Sequence, residues 1–452
     1  MRIHFIAIGG AVMHNLAIAL HKKAYAISGS DDEIFEPSLS RLQKHNLLPK
    51  KWGWDPALIT TNLDAVILGM HAREDNPELL RARELGLKIF SFPEYLYEQT
   101  RNKTRVVIAG SHGKTTVTSM IMHALRENGM QFDYMVGSVL DGFDTMVELN
   151  DGNTIAVFEG DEYLTSPIDL RPKFHLYNPH ISLITGIAWD HMNVFPSFEN
   201  YLEQFRIFAG MTSDALIYFG GDEHLGPIAE KQKERLKLYP YSGLNAVTSG
   251  EKSTVMLDSL RVSLSIFGEH NMQNLAGAMQ VCKLLGVSEK DFLASMATFK
   301  GAKRRQELLA QKGSCMVYLD FAHAPSKVAA TVKAFRGQYK DKKLVACLEL
   351  HTFSSLNTAF LPQYKSSMDL ADTAIVYYNP EVVQHKKLRQ FPPELVKEAF
   401  QREDLTVLQD SAAVEGLLLD LPAGDCVFLI MSSGNFSGLD LKQLAESIVN
   451  KA

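Results

Sequence analysis

Cysteine is scarce in this sequence, and its spacing excludes two classes of cross-linked protein. The 452 residues include 4 cysteines. They stand far apart and form no CxxC pair: Cys282, Cys315, Cys347 and Cys426. Zinc ribbons need closely paired cysteines, and disulfide frameworks need many cysteines in a short chain. Neither kind of scaffold is therefore expected.

Long hydrophobic runs are also missing. No uninterrupted apolar stretch approaches roughly 18 residues, the length at which a membrane-spanning helix becomes a candidate. The N-terminal RIHFIAIGG lacks a long apolar core followed by a small-residue cleavage site, so it predicts a strand and not a secretion signal. We therefore expect a cytoplasmic protein without a membrane partner.

An excess of positive charge is the third absence. Lys and Arg total 46 against 52 Asp and Glu, for a net charge of -6, and this balance disfavours a broad nucleic-acid-binding surface. Hydrophobic residues make up 46% and charged residues 22%, which is ordinary globular composition and excludes disordered and fibrous proteins. Small molecules are the expected partners, and the chain is expected to act as a monomer or a homodimer.

The chain length predicts about three domains, at about 150 residues per domain. Strands and helices alternate in the first hundred residues, a pattern typical of a parallel, doubly wound α/β sheet. The polar EQTRNKTR then predicts a linker. The same alternation returns after it and again after FKGAKRR, with no short repeat. We expect three α/β domains, over residues 1–102, 103–300 and 301–452.

Parallel sheets bind ligands at the carboxyl ends of their strands. In the first domain, four residues follow predicted strands at these positions: Gly9, Gly10, Asp31 and His71. We expect a ligand-binding edge there.

The strongest local motif lies in VVIAGSHGKTTVTSMIMHAL, where a strand runs through a glycine-rich turn into an amphipathic helix. Glycines let backbone N–H groups point inward at a helix N-terminus, a lysine reaches the β- and γ-phosphates, and a threonine can bind Mg²⁺. The full phosphate-binding pattern has glycine where Ile108 stands, so this is a shortened form. It predicts a nucleotide site formed by Gly110, Ser111, His112, Gly113, Lys114, Thr115 and Thr116.

Two further strand ends follow in the same domain. The apolar run ending in Glu159 is followed by Asp161, and if the strand continues both carboxylates share one face. Mg²⁺ bound with a nucleotide uses one or two carboxylates. Another strand precedes His191. An exposed acidic turn and a structural histidine are the competing interpretations of these residues.

Polar residues also begin a helix in GEHNMQN, where His270, Asn271 and Asn274 lie on the first turn. They predict hydrogen bonds to an adenine or a ribose, with helix capping as the competing interpretation. Next comes the basic Lys303-Arg304-Arg305, in which an arginine could neutralise a transferring phosphoryl group or simply be solvated.

A last pair of polar residues lies in the third domain. Asp320 and His323 follow a buried strand, where contacts with a ligand are expected.

In their order, the motifs GSHGKTT, EGDEY, AWDH, GEHNMQN, KRR and DFAHAP resemble those of the Mur ligase family, nearly end to end. The resemblance implies an N-terminal Rossmann-like UDP-binding domain, a central P-loop ATPase-type mononucleotide-binding domain and a C-terminal Rossmann-like ligase domain. It also implies ATP and Mg²⁺, and an ADP-forming amide ligase of peptidoglycan synthesis that works through an acyl phosphate.

The resemblance further implies roles for the motif residues. Lys114, Glu159, His191 and Arg305 would be catalytic, with Thr115 and Glu159 on a first Mg²⁺ and His191 on a second. The remaining implied contacts are with the nucleotide base (His270, Asn271, Asn274), the phosphates (Arg305 or Arg304), the ribose (Asp320) and the UDP moiety (Gly9, Gly10, Asp31, His71).

Within the family, GSD, SHGKTT and GEHNMQN are most similar to enzymes that use UDP-N-acetylmuramate. One branch adds L-alanine, and another adds a recycled L-alanyl-γ-D-glutamyl-meso-diaminopimelate tripeptide. MSSGNFSG and LELHTFSSLN favour the recycling branch. Two competing hypotheses are a folylpolyglutamate synthetase-like ligase and a nucleotide-binding regulator without turnover.

Three departures from the family pattern stand out. No lysine follows His191 in MNVFPSFENYLEQFRIF, where many relatives carry a carbamylated one. The first loop, GGAVMHN, is poor in glycine, and a His-His-Pro pattern is replaced by His323-Ala324-Pro325.

Overall fold

The computed structural model describes residues 1–70, 72–189, 192, 194–249, 252–257 and 260–451. The chain forms two compact units. Unit 1 comprises Met1–Ile187, Glu199–Ser242 and Gly277–Phe292, and unit 2 comprises Ala188–Phe198, Gly243–Ala276 and Leu293–Ala452. Within the described residues, no helix is long and apolar enough to cross a membrane.

A four-stranded sheet opens unit 1, with strand order β2-β1-β3-β4 and every neighbouring pair parallel. Its elements are β1 (Arg2–Ile6), α1 (Ala11–Lys22), β2 (Ala26–Ser30), α2 (Ser38–Lys44), β3 (Ala65–Leu68), α3 (Pro77–Glu84), β4 (Ile89–Ser91) and α4 (Phe92–Gln99). The apolar segments predicted as strands form this sheet.

Unit 1 also contains a seven-stranded sheet, in the order β13-β12-β11-β5-β8-β6-β7, and a separate antiparallel pair, β10-β9. Within the seven-stranded sheet, only the β6–β7 pair is antiparallel, so the other strands end at one edge. The elements are β5 (Thr104–Ala109), α5 (Lys114–Glu127), β6 (Asp133–Met135), β7 (Val147–Glu148), β8 (Ile155–Glu159), β9 (Leu164–Ser166), β10 (Asp169–Pro172), β11 (Ile181–Ile184), α6 (Phe198–Met211), β12 (Ala215–Phe219), α7 (Leu225–Glu230) and β13 (Lys237–Tyr241).

Unit 2 contains an antiparallel three-stranded sheet, β14-β15-β16, and a six-stranded sheet in the order β17-β18-β22-β19-β20-β21. All pairs of the larger sheet are parallel except β17–β18. The elements are β14 (Ala246–Ser249), β15 (Lys252–Leu257), β16 (Leu260–Leu264), the start of α8 (Glu269–Leu284), the end of α9 (Glu289–Met296), β17 (Glu307–Lys312), β18 (Cys315–Asp320), α10 (Pro325–Gln338), β19 (Lys343–Glu349), β20 (Thr373–Tyr377), α11 (Pro380–His385), α12 (Pro393–Phe400), β21 (Thr406–Leu408), α13 (Ser411–Asp420), β22 (Cys426–Met431) and α14 (Leu441–Asn450). Residues Gly277–Phe292, which include the rest of α8 and the beginning of α9, belong to unit 1.

Both faces of the six-stranded sheet are buried. Along β18, Met316 and Tyr318 enter one hydrophobic cluster, whereas Val317 and Leu319 enter another on the opposite face. Such double burial explains why these strands are continuously apolar. The four cysteines are free and buried, and burial raises the pKa of the Cys282 and Cys347 thiols.

The predicted fold class, three-domain α/β with parallel sheets, is confirmed. The predicted linker EQTRNKTR is too long, because α4 reaches Gln99 and β5 begins at Thr104. Its charges are used in the fold: Lys103 Nζ lies 2.5 Å from Asp133 Oδ2, and the Arg105 side chain donates to the carbonyl of Tyr177 at 2.9 Å. The domain boundaries at residues 102 and 300 stay predictions.

Candidate active site

The glycine-rich turn connects β5 with α5 at the carboxyl edge of the seven-stranded sheet. Gly110 has φ +126° and Gly113 has φ +76°, conformations that favour glycine. A Cβ on Gly110 would also lie 2.2 Å from Thr185 Oγ1. Because Gly113 immediately precedes Lys114, the first residue of α5, the turn leaves the free N–H groups of a 14-residue helix at its end. This is the backbone geometry of an anion site.

Lys114 reaches back across this turn. Its Nζ donates to the carbonyl oxygen of Gly110 at 2.6 Å and lies 2.7 Å from Glu162 Oε2. Burial alone lowers the pKa of Lys114, but the carboxylates of Glu162, Asp161 and Glu159 outweigh it and raise the pKa above its ordinary value. The ammonium is therefore fully charged at neutral pH, as binding to phosphate requires.

Glu162, the partner of Lys114, belongs to a buried network that the sequence did not predict. The hydroxyl of Tyr201, on α6, donates to Glu162 Oε1 at 3.1 Å and lies 2.8 Å from Ser111 Oγ. Glu162 was visible in EGDEY as one of several acidic residues. Nothing in the sequence indicated Tyr201, because its partners are far away along the chain.

The turn is also fixed to the end of β11. Ser111 N donates to the carbonyl of Gly186 at 2.9 Å, and Thr185 Oγ1 donates to the carbonyls of His112 and Ala109. Thr116 lies buried in the first turn of α5. The predicted motif residues Gly110 to Thr116 thus lie on one rigid strand-to-helix connection.

Thr115 and Glu159, the predicted magnesium residues, lie in contact. Thr115 Oγ1 donates to Glu159 Oε1 at 2.8 Å, and the backbone N–H of Gly137 donates to Oε2 at 2.7 Å. A Cβ on Gly137 would lie 2.9 Å from Glu159 Oε1, so glycine leaves this carboxylate room. A hydroxyl and a carboxylate oxygen beside a turn with the geometry of an anion site fit Mg²⁺, which takes hard oxygen ligands.

Asp161 does not join this pair. The strand β8 ends at Glu159, so the alternation that would have placed both carboxylates on one face stops there. Asp161 Oδ2 instead lies 2.5 Å from Lys173 Nζ. The third predicted metal residue, His191, lies outside the described residues. Among those that are described, no group of three or more His, Cys, Asp or Glu residues is arranged to hold a metal ion.

The first loop of unit 1 connects β1 with α1. The backbone N–H of Gly9 donates to Asp31 Oδ2 at 2.7 Å, and the carbonyl of Gly10 lies 2.9 Å from His14 Nδ1. Burial raises the pKa of Asp31 to about 6. Three of the predicted UDP-binding residues thus lie close together, whereas His71 falls outside the described residues.

In unit 2, the polar residues at the start of α8 form a hydrogen-bonded group. Asn271 Nδ2 donates to the carbonyl of Phe267 at 2.9 Å and to Gln306 Oε1 at 2.9 Å, and Asn274 Nδ2 lies 3.3 Å from Asn271 Oδ1. Burial lowers the pKa of the neighbouring His270. The structure therefore brings the three predicted residues together and adds Gln306, which the sequence motifs did not indicate.

Arg304 and Arg305 both lie over the ring of Phe321, with guanidinium carbons 5.2 Å and 4.6 Å from its centroid. Arg304 also donates to the carbonyls of Ser432, at 3.0 Å, and Gly434, at 2.5 Å. Burial lowers the pKa of Arg304. Arg304 thus holds the loop after β22, a role that the sequence did not predict.

Asp320 and Glu349 are buried at the carboxyl edge of the six-stranded sheet. The carboxylate of Asp320 accepts the backbone N–H groups of Gln306 at 2.9 Å and Ala322 at 2.8 Å. Glu349 Oε2 accepts the N–H of Phe436 at 3.0 Å and the hydroxyl of Ser432. Glu349, which was not predicted as a site residue, thus stabilises the MSSGNFSG loop through hydrogen bonds to two of its residues.

Three family descriptions match the chain in sequence. They are the Mur ligase family catalytic domain over residues 2–104, the Mur ligase middle domain over residues 108–282, and the Mur ligase glutamate ligase domain over residues 304–434.

Individual proteins match over most of the chain. A UDP-N-acetylmuramate–L-alanine ligase of Lactobacillus johnsonii is 32% identical over 369 residues, 78% of this chain and 79% of the relative. A UDP-N-acetylmuramate–L-alanyl-γ-D-glutamyl-meso-2,6-diaminoheptandioate ligase of Haemophilus influenzae is 26% identical over 463 aligned positions, 98% of both chains. The crystal structure of the UDP-N-acetylmuramate–alanine ligase of Thermotoga maritima superimposes with a TM-score of 0.72 at 20% identity, covering 100% of this chain and 99% of the other.

Proposed function

Because the chain belongs to the Mur ligase family and is an ATP-dependent, ADP-forming amide ligase, we propose that it joins UDP-N-acetylmuramate to L-alanyl-γ-D-glutamyl-meso-diaminopimelate. The product would return a recycled peptide to peptidoglycan synthesis. The observation that carries this proposal is the similarity to the Haemophilus influenzae tripeptide ligase over 98% of both chains.

The carboxyl edge of the six-stranded sheet offers charges that suit such a peptide. The segment after β20 contains three cations, Lys386, Lys387 and Arg389, and within the described part of the chain they form no ion pair. The tripeptide carries several carboxylates, whereas L-alanine carries one. Unpaired cations beside the site would therefore favour the larger, more anionic substrate.

The basic segment, residues 379–391, is anchored by hydrogen bonding and ring stacking near both of its ends. Asn379 Nδ2 donates to Ser437 Oγ at 2.9 Å, and the ring of Tyr378 stacks on Phe391 with centroids 4.6 Å apart. Ser437 belongs to the same loop that Arg304 and Glu349 hold. The basic segment and the loop after β22 are thus joined into one surface.

The reaction begins with attack on ATP. A carboxylate oxygen of the muramic acid bonds to the γ-phosphorus, the bond to the bridging oxygen of ADP breaks, and an acyl phosphate forms. Both reactants are anionic, so the barrier is largely electrostatic. Lys114 would exchange Glu162 and the Gly110 carbonyl for phosphate oxygens, and the N–H groups at the start of α5 would hold the same phosphates.

Thr115 and Glu159 would hold Mg²⁺, which when bound neutralises phosphate charge and orients the transferring group. In the second step, the peptide amine adds to the acyl carbon, the bond to the phosphate oxygen breaks, and the amine loses a proton. Inorganic phosphate leaves and the amide remains.

The competing proposal is an L-alanine ligase, and it rests on the higher identity of 32% to the Lactobacillus johnsonii enzyme over a shorter region. The two proposals differ only in the amine substrate.

A substrate panel tests the proposal directly. ADP release is measured with ATP, Mg²⁺ and UDP-N-acetylmuramate, together with the tripeptide, L-alanine or no amine, and each product is identified by mass. We expect kcat/KM for the tripeptide to exceed that for L-alanine by about 100-fold, as a site built around extra charged contacts allows. A preference for L-alanine would contradict the proposal. Equal ADP release in all arms would show that no amide ligation takes place.

A further inference from the structure

Asn15 is a fully buried side chain on α1. It ends the GGAVMHN segment that contains the first glycine loop, but it is not among the residues predicted to bind a ligand. Its amide makes four hydrogen bonds. Nδ2 donates to the carbonyl of Ala11 at 2.7 Å and contacts His14 Nε2 at 2.9 Å, while Oδ1 accepts from Arg41 Nη1 at 3.0 Å and from the N–H of Met146 at 3.0 Å. A carboxamide has two donor hydrogens and two acceptor sites, so the capacity of Asn15 is completely used.

On one side, the Asn15 amide is connected to the first glycine loop through His14. Because Asn15 Nδ2 can only donate, His14 Nε2 must be the acceptor, which makes Nδ1 the protonated nitrogen. His14 Nδ1 lies 2.9 Å from the carbonyl of Gly10. Burial lowers the pKa of His14, which is consistent with a neutral ring. Asn15 thus fixes the histidine that holds Gly10.

On its other side, the Asn15 amide is connected through backbone hydrogen bonds to Glu159, the predicted magnesium ligand. The N–H of Met146 is bound to Asn15, and its carbonyl accepts from Val136 N at 3.0 Å. The next residue, Gly137, donates its N–H to Glu159 Oε2 at 2.7 Å. Glu159 in turn accepts from Thr115. Each of these contacts lies within unit 1.

Arg41, on α2, reinforces the contact between α1 and the segment before β7. Its Nη1 binds Asn15 Oδ1 and its Nη2 donates to the carbonyl of Asp144 at 3.1 Å. The segment from Gly137 to Met146 is therefore held at one end by Glu159 and at the other by the first helix.

We propose that Asn15 is a positioning residue that couples the first glycine loop to the Thr115–Glu159 pair. A ligand that orders the loop at Gly9 and Gly10 would also order the segment that holds Glu159, so the sugar nucleotide and the magnesium triphosphate bind with positive cooperativity. The proposal rests on the assignment of the first loop to the UDP moiety. It goes beyond the proposed function because it concerns how the binding of one substrate affects the binding of another.

The coupling can be measured without turnover. UDP-N-acetylmuramate is titrated calorimetrically into the protein alone, and into the protein saturated with Mg²⁺ and a nonhydrolysable ATP analogue. We expect the analogue to tighten binding in the wild type by about 5-fold or more, a typical coupling between two sites. In Asn15→Asp, which keeps the acceptors but loses both donors, we expect the ratio to fall below about 2-fold.

Two further variants complete the test. Asn128→Asp alters an exposed asparagine of unit 1, whose Nδ2 likewise donates to a helix carbonyl, that of Ala124, at 2.8 Å, and it should leave the ratio unchanged. Arg41→Met removes the guanidinium contacts from a half-exposed position and should lower the ratio even if Asn15→Asp does not fold, which thermal melting checks.

The outcomes separate this proposal from the proposed function. A wild type that binds the sugar nucleotide equally well in both titrations, or ratios that stay unchanged in Asn15→Asp and Arg41→Met, would overturn the coupling alone. A wild type that does not bind UDP-N-acetylmuramate at all would overturn the proposed function, and the coupling with it.

Discussion

Unit 1 contains two glycine loops of the same topology, each leading from a parallel strand into a helix, and they differ in charge. The loop after β5 has a lysine at the helix start and the carboxylates of Glu159 and Glu162 around it. The loop after β1 has no lysine, and the carboxylate of Asp31 accepts its Gly9 N–H. The charges of the loop after β5 suit the magnesium-bound triphosphate that we propose for it. An acid at the end of a second strand suits the hydroxyls of a ribose, as in dinucleotide-binding sheets.

The loops also differ in backbone conformation. Gly110 and Gly113 have positive φ angles, whereas Gly10 has φ -56°, which any residue can adopt. In the first loop the positive φ falls on Ala7. A backbone that only glycine adopts without strain brings N–H groups close to a phosphate, so the comparison predicts unequal tolerance to substitution.

The largest difference should come from charge. Lys114→Ala removes the cation of the second loop, and we expect kcat for ADP formation to fall about 10³-fold or more, because a preorganised positive group at a transferring phosphoryl group contributes that much. Steady-state kinetics measures the loss. Lys233→Ala is the matched control: this exposed lysine pairs with Glu230 on the surface, where ion pairs contribute little. Equal activity of the two variants would contradict the assignment of Lys114 to a phosphate-binding site.

The next difference should come from the backbone. Gly110→Ala would place a Cβ 2.2 Å from Thr185 Oγ1 at φ +126°, whereas a Cβ at Gly10 would meet nothing nearer than Met13 Cγ, at 3.3 Å. Strain of about 1–3 kcal/mol at such a position should lower the affinity for a nonhydrolysable ATP analogue about 10-fold or more. Gly10→Ala should leave that affinity within about 2-fold. Calorimetric titration compares them, and equal effects would contradict the assignment of unequal strain.

The smallest difference concerns Asp31, whose carboxylate binds the first loop at Gly9. Because the pKa of Asp31 is raised to about 6 in the folded chain, ionisation favours the unfolded chain. The stability that Asp31 provides when protonated, below about pH 4, is lost as the pH rises through about 6. Asp31→Asn removes this loss, so its melting temperature relative to the wild type should be about 2 °C or more higher at pH 7.5 than at pH 5.

Glu36→Gln, at an exposed carboxylate nearby, serves as the control for that comparison and should show no such trend. A pH-independent difference between Asp31→Asn and the wild type would contradict the raised pKa.

The sequence predicted the parts of the site that depend on strand ends. Thr115 comes shortly after β5, and Glu159 is the last residue of β8. The two strands are neighbours, and a parallel sheet brings the carboxyl ends of neighbouring strands together. The positions of Thr115 and Glu159 could therefore be predicted from local sequence patterns. The apolar strands could be predicted in the same way, from their runs of hydrophobic residues.

The contacts that the sequence did not predict come from tertiary packing. Tyr201 reaches Glu162 from α6, and Glu349 is enclosed by a loop that follows a different strand, β22. In GGAVMHN, the shortage of glycine was visible from the sequence. The contact between Asn15 and Met146 was not, because the two residues are 131 positions apart. No spacing rule connects such positions.

The buried cysteines have a practical consequence. Each of the four thiols is enclosed by packed side chains, so an alkylating reagent can reach one only when the packing around it opens. The rate at which each thiol is alkylated therefore reports how often its own part of the molecule opens. A cysteine introduced on the surface would react first and could carry a fluorophore without removal of the native four.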